Sequence, residues 1–294
     1  MSGRRLVGLI GTNIGKSLSP FLHEDAFAAA GVIGHYHLMD VSVLQGRRLE
    51  DLLAAARTAG FAGVNVTHPF KESVIPLLDT VADEAREIGA VNTVVFDQNG
   101  GTTGHNTDCS GFRQAFIETL GEDAARERDV LLLGGGGAGR AVAFALMSLG
   151  VTTLKIFDQD AARATGLCAD LNQRFGAGRC EPLSDPQAAV ASVAGIVNAT
   201  PVGMAGYPGV PLPTRLVQPT QFVADVVYTP IDTELLLAAH GKGCRTMNGG
   251  GMCVHQAVDA FRHFTGWMPD VERMRRRFEA ALAEREAREA SSSA

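Results

Sequence analysis

The stretch from Val130 to Leu149 constrains the fold more than any other part of this chain. Four apolar residues, Val130-Leu131-Leu132-Leu133, run straight into Gly134-Gly135-Gly136-Gly137-Ala138-Gly139, and a helical pattern follows from Arg140 to Leu149, stopped by Gly150. A lone G-x-G-x-x-G means little in a chain with 34 glycines. Here it closes a buried strand and opens a helix, the context in which a dinucleotide fingerprint has physical content. Glycines allow the tight turn and the close backbone approach, and the helix N-terminus offers N–H groups to a pyrophosphate. A next strand, Thr153 to Phe157, completes a βαβ unit and ends on Asp158. A carboxylate there accepts hydrogen bonds from ribose hydroxyls and repels a 2′-phosphate. Phe157-Asp158-Gln159-Asp160 holds no cation, the nearest being Arg163, so the local charge predicts NAD over NADP. A glycine-rich turn beside an unrelated aspartate is the alternative reading.

The rest of the chain supports an α/β protein. Strands are predicted at 5–10, 35–41, 64–66 and 92–96, with helices at 23–30, 49–59 and 81–88 between them, so an N-terminal α/β domain with a largely parallel sheet is expected. A helix over 111–120 leads into the glycine-loop unit, and further strands are predicted at 195–198 and 222–227. A helix over 252–264 and a charged one over about 270–289 close the chain, with Ser-Ser-Ser-Ala as a frayed tail. The expected domains are 1–109 with 248–294, and 110–247.

Composition narrows the function classes. Of 294 residues, 46% are hydrophobic and 20% charged, enough apolar surface for two cores, and the net charge of −6 argues against a nucleic-acid groove. A small anionic substrate would therefore be held by local donors. Five cysteines form no C-x-x-C pair, which fits a reduced setting better than a disulfide framework. His35 and His37 share a strand face without a third ligand nearby, so no metal site is expected. The apolar run 6–10 is too short for a signal sequence or a membrane span. A soluble cytoplasmic protein is expected, with no membrane or nucleic-acid partner.

The segment Asn65-Val66-Thr67-His68-Pro69-Phe70-Lys71 carries candidate chemistry. On a strand, Asn65 and Thr67 point to one face, Pro69 ends the ladder, and Lys71 follows in a stiff turn. A lysine beside neutral hydrogen-bonding groups can exchange a proton with a carbonyl or hydroxyl oxygen. Taken alone, the segment also reads as a strand end with a solvated lysine.

With these pieces placed, the chain resembles the shikimate dehydrogenase family, including its quinate/shikimate dehydrogenase branch. Ser17-Leu18-Ser19-Pro20 with His23 resembles the family's serine pair. Asn65 to Lys71 matches N-V-T-x-P-F-K, and Ala90-Val91-Asn92-Thr93 matches A-V-N-T. Gly104-His105-Asn106-Thr107-Asp108 is similar to G-x-N-T-D, Val227-Tyr228-Thr229-Pro230 to a V-Y-x-P turn, and Gly250-Gly251-Met252 with Gln256 to G-G-x-M-x-x-x-Q. The resemblance implies a substrate domain joined to a Rossmann-type doubly wound domain, with the active site in a cleft between them. It implies Lys71 and Asp108 as the catalytic pair. Ser17, Ser19, Asn65, Thr67, Asn92, Tyr228 and Gln256 would hold a cyclic hydroxy acid, shikimate or quinate. Gly134, Gly136, Gly137, Ala138, Gly139, Asp158, Arg163 and Gly249 would hold NAD.

Two departures from the biosynthetic members stand out. Asp158-Gln159-Asp160 replaces the usual Asn-Arg-Thr, whose arginine holds the 2′-phosphate of NADP, and Glu24 follows His23 where asparagine is common. An NADP-linked biosynthetic enzyme, an aminoshikimate dehydrogenase and a non-catalytic dinucleotide-binding regulator are the competing readings. The last would lack the lysine or the aspartate, and both are present. A monomer or a homodimer fits the sequence equally.

Overall fold

The computed structural model describes residues 4–44 and 46–292. The chain forms two compact units, Met1–Thr107 with Val254–Ala294, and Asp108–Cys253, so the divisions fall at 107/108 and 253/254 instead of at 109/110 and 247/248.

The first unit is built on six strands: β1 (Arg4–Gly11), β2 (Ile33–Asp40), β3 (Gly63–Val66), β4 (Thr80–Val81), β5 (Thr93–Phe96) and β6 (Thr102–His105). Their order is β2-β1-β3-β5-β6-β4. β1 pairs parallel with β2 and β3, and β4 with β6, whereas β5 runs antiparallel to both β3 and β6. The sheet is therefore mixed where a largely parallel one was predicted. The tight turn at Gln98–Gly101 folds β6 back along β5, and β5 itself runs against β3. Helices α1 (Ser19–Ala29), α2 (Leu49–Thr58) and α3 (Asp83–Ile88) separate the strands. α1 starts earlier than its apolar spacing suggests because Pro20 is compatible with a first helical turn. Leu52 and Leu53 of α2 pack with Ile10, Val64, Val66, Val91 and Val94 in one core cluster.

The second unit is a doubly wound sheet. Its strands are β7 (Val130–Leu133), β8 (Leu154–Phe157), β9 (Cys180–Pro182), β10 (Gly195–Asn198), β11 (Phe222–Asp225) and β12 (Arg245–Met247). They lie in the order β12-β11-β10-β7-β8-β9, with every pairing parallel. The β7–β9 half carries an α-helix in each crossover, whereas the first crossover of the β10–β12 half holds a short 3-10 turn at Thr214–Leu216 in place of an α-helix. The halves meet at β7 and β10, the switch point at which such sheets bind dinucleotides. All four residues of β7, β10 and β11 are buried, as central strands covered on both faces should be, although β10 ends in Asn198 and β11 in Asp225. Helices α4 (Asp108–Leu120), α5 (Gly137–Ser148), α6 (Ala161–Phe175) and α7 (Glu234–Gly241) complete the unit.

Helix α8 (Gly249–Thr265) follows β12, and α9 (Val271–Ser292) follows α8. Ser293 and Ala294 of the serine-rich tail lie outside the described residues. α9 packs on α1, where Arg273 holds Asp25 through Nε at 2.6 Å and Nη2 at 2.9 Å. Arg277 lies 5.0 Å over the Phe21 ring.

One expectation needs correction. Cys168 and Cys180 are joined as a disulfide, and Cys109, Cys244 and Cys253 are buried cysteines outside it. Cys168 and Asn172 are four apart on α6 and share a face. The Asn172 amide accepts from Cys180 N–H and donates to its carbonyl, both at 2.9 Å. That clamp brings β9 back against α6, and no local cysteine motif could announce it.

Candidate active site

In the first unit the N-V-T-x-P-F-K segment leaves β3 as the spacing predicts, and Asn65 becomes the centre of a buried network. Its Oδ1 accepts from the Tyr36 hydroxyl at 2.9 Å, and its Nδ2 donates to Thr93 Oγ1 at 2.9 Å and to the Asn92 carbonyl at 3.2 Å. Both N–H donors of Asn65 are thus spent inside the protein, and only the second lone pair of Oδ1 remains to offer a substrate. Asn92 is fixed in the same network: its Oδ1 accepts from Thr107 N–H at 2.8 Å, and its Nδ2 donates to Thr107 Oγ1 at 2.9 Å. Asn106 Nδ2 donates to the Ala90 carbonyl at 2.9 Å. The A-V-N-T and G-x-N-T-D segments are thereby locked together.

Lys71 is half-buried in the turn after Pro69, and its carbonyl accepts from Val91 N–H at 2.8 Å. This places the lysine backbone beside the residue that precedes Asn92. Thr67, which donates its N–H to the Ile10 carbonyl, follows β3 and is half-buried. Asp108 is buried as the first residue of α4. Ser17 and Ser19 stand together at the start of α1, with Ser17 Oγ 3.2 Å from Ser19 Oγ and accepting from Ser19 N–H at 3.3 Å. Two hydroxyls at a helix N-terminus suit a carboxylate. Gln256 is half-buried on α8.

Sequence reasoning missed Tyr36, a fully buried residue of β2 whose phenol reaches across β1 to Asn65. Its ring stacks on His23 with centroids 4.7 Å apart. Among the described residues neither ring nitrogen of His23 has a hydrogen-bond partner, and burial pulls its pKa down to about 3, so it is a neutral packing surface at physiological pH. Tyr36→Phe is expected to lower the unfolding free energy by about 1–3 kcal/mol, because it leaves a buried amide oxygen unpaired. Urea unfolding checks this, and an unchanged midpoint would show that Asn65 does not depend on the phenol.

In the second unit the glycine loop has the geometry its sequence predicts. Gly134 sits at φ +98°, and a Cβ on Gly139 would collide with the Gly134 carbonyl oxygen, so both positions require glycine. Gly136 precedes the first turn of α5, where the N–H groups of Gly137, Ala138 and Gly139 have no partner within the helix. Asp158 ends β8 as expected. Its Oδ2 accepts from Gly135 N–H at 2.7 Å and its Oδ1 from Asp160 N–H at 2.9 Å, which aims the carboxylate at the loop and leaves each oxygen able to accept again. Arg163, in the first turn of α6, lies 3.6 Å from Asp160, and its Nη1 would be 3.5 Å from a Cβ at Gly136. Gly249 donates its N–H to the Val227 carbonyl at 3.2 Å, in a contact too close for a Cβ. Tyr228 follows, half-buried. A close-approach glycine loop, open first-turn N–H groups and a strand-end carboxylate together fit a dinucleotide with free ribose hydroxyls.

Among the described residues no group of three or more His, Cys, Asp or Glu side chains could hold a metal ion. Among them, too, no helix is long and apolar enough to cross a membrane.

Fold and site together define an α/β dinucleotide-dependent oxidoreductase scaffold carrying a separate polar substrate unit. Comparison with known proteins narrows the class. Residues 9–94 match the shikimate dehydrogenase substrate binding domain. The quinate/shikimate dehydrogenase (NAD(+)) of Corynebacterium efficiens is 46% identical over 277 residues, 93% of this chain and 97% of that protein. The shikimate dehydrogenase (NADP(+)) of Streptomyces avermitilis is 50% identical over 273 residues, 92% of this chain and 93% of that protein. Among solved structures, quinate dehydrogenase from Corynebacterium glutamicum in complex with NAD is 44% identical with a TM-score of 0.87, over 95% of this chain and 100% of that one. This chain belongs to the shikimate dehydrogenase family.

Proposed function

We propose that the protein is an NAD-dependent oxidoreductase that interconverts shikimate and 3-dehydroshikimate, and quinate and 3-dehydroquinate, at C3. The observation that carries the cofactor choice is Asp158, whose carboxylate is held against the glycine loop with no cation at positions 159 or 160. Bound NAD supplies the nicotinamide that takes up the hydride. Lys71 accepts the C3 hydroxyl proton in the oxidative direction and returns it to the carbonyl oxygen in the reductive one, with Asp108 orienting the ammonium. Ser17 and Ser19 hold the substrate carboxylate, assisted by Tyr228. Asn92, Thr67, Gln256 and the remaining lone pair of Asn65 address the ring hydroxyls. Such a site rejects analogues lacking a hydroxyl, because its own polar groups would be left unpaired. Gly134, Gly136, Gly137, Ala138, Gly139 and Gly249 give the backbone surface for the dinucleotide, flanked by Arg163. The protein works in the cytoplasm as a monomer or a homodimer.

An NADP-linked shikimate dehydrogenase is the second reading, favoured by Arg163 beside the glycine loop and by the NADP-linked Streptomyces relative. Measuring kcat/KM with NAD and NADP, each against shikimate and quinate, separates the two. The expected result is turnover with NAD well above that with NADP. A clear NADP preference would overturn the cofactor assignment, and no turnover of either acid would overturn the substrate assignment.

A further inference from the structure

Asp225 closes β11 with no solvent exposure, and the proton-transfer chemistry has no use for it. It is the hub of a network that ties three segments of the second unit together. Its Oδ1 accepts from Asn198 Nδ2 at 2.9 Å and from Val227 N–H at 3.0 Å, and its Oδ2 accepts from the Thr233 hydroxyl at 2.8 Å. Asn198, the last residue of β10, passes the constraint on. Its Nδ2 also donates to the Val202 carbonyl at 3.1 Å, and its Oδ1 accepts from Thr200 N–H at 3.0 Å and Thr200 Oγ1 at 2.6 Å. Thr233 caps α7 by accepting from Leu236 N–H at 3.3 Å. Burial raises the Asp225 pKa to about 6 in spite of these donors. Stability alone does not explain a buried carboxylate, since apolar residues of similar size often serve a core as well or better.

The position of the network suggests what it holds. A Cβ on Gly134 would lie 2.9 Å from the Ala199 carbonyl oxygen and 3.0 Å from Thr200 Cγ2, so the segment after β10 borders the glycine loop. On its other side, Val227 accepts from Gly249 N–H at 3.2 Å. The β7–β9 half carries the glycine loop and Asp158, the adenosine end. The matching β10–β12 half therefore faces the nicotinamide end, since the two halves of such a sheet each take one mononucleotide.

We propose that Asp225 is a positioning residue for the nicotinamide half of the dinucleotide. By accepting from both Asn198 and Val227, it ties segment 226–230 to segment 198–202, which borders the glycine loop, and so fixes the shape the cofactor meets. Preorganisation of this kind shows in affinity for the part of the ligand that the segments touch, and not for the rest. The inference rests on the dinucleotide-binding reading above.

The test compares Asp225→Ala, Asp225→Asn and Asn198→Ser in the full chain, reading the KM for NAD, kcat, and the Kd of ADP-ribose, which lacks nicotinamide. Asp225→Ala is expected to raise the KM for NAD by about tenfold, the worth of roughly one lost hydrogen bond, with the Kd of ADP-ribose unchanged. Asp225→Asn should recover most of this, because its amide oxygen still accepts from Asn198 and Val227. Asn198→Ser leaves the carboxylate bound to Val227 and Thr233 and should show the same split, which keeps the test decisive if the alanine variant does not fold. Equal weakening of NAD and ADP-ribose, or wild-type values in the variants, would overturn the proposal. A wild-type protein that bound neither ligand would instead refute the dinucleotide reading itself, and this inference with it.

Discussion

Lys71→Ala is expected to lower kcat by about 10³-fold while changing the KM for the hydroxy acid only a few-fold, because in the proposed mechanism the lost group acts on a proton in flight and not on ground-state binding. The substitution leaves the local backbone in place, since the Lys71 carbonyl keeps its bond to Val91 N–H at 2.8 Å. The Asn65–Thr93–Asn92–Thr107 network, which in the proposed function positions the residues that meet the ring hydroxyls, is made of bonds among those four residues. Steady-state kinetics with shikimate and quinate reads the split between kcat and KM. Near wild-type turnover would remove Lys71 from the chemistry. A large rise in KM at constant kcat would make it a binding residue instead.

Gly139→Val should abolish useful dinucleotide binding, raising the Kd for NAD by about 100-fold or more while the protein still folds. A Cβ there overlaps the Gly134 carbonyl oxygen, so the loop must open where the pyrophosphate is expected to sit, and a displacement of about 1 Å at such a site costs on this order. The strand before the loop packs Leu131 and Leu133 among Ile196, Val223 and Leu235, and the helix after it buries Ala141 to Met147. Isothermal calorimetry with NAD, alongside a thermal melt, distinguishes loss of the site from loss of the fold. Wild-type affinity in the variant would mean that the glycine loop is not the dinucleotide site.

Much of this arrangement is legible in the amino-acid sequence. The β7–loop–α5 unit, the strand-end Asp158 and the turn that presents Lys71 are written in contiguous residues. Each follows from near-neighbour effects: apolar runs that must be buried, glycines at a positive φ or a close approach, a proline without a donor. The mixed pairing of the first sheet was less legible. Gln98-Asn99-Gly100-Gly101 reads in the sequence as a hairpin-type turn, which accounts for the antiparallel β5–β6 pair but not for the antiparallel run of β5 beside β3.

The side-chain partnerships were not legible at all. Tyr36 meets Asn65 only because β1 lies between their strands and the register puts both residues on one face. Cys180 reaches Cys168 because Asn172 clamps the returning strand. Asp225, Asn198 and Thr233 look like isolated polar residues in the chain, and become one network because parallel β10 and β11 end side by side. Chain pattern alone was enough for the two βα architectures, the glycine loop and the residue types available for proton transfer, because short-range sterics and burial periodicity govern them. Strand order and register settled which of those residues hold one another in place. Those depend on long-range packing that no window of sequence contains.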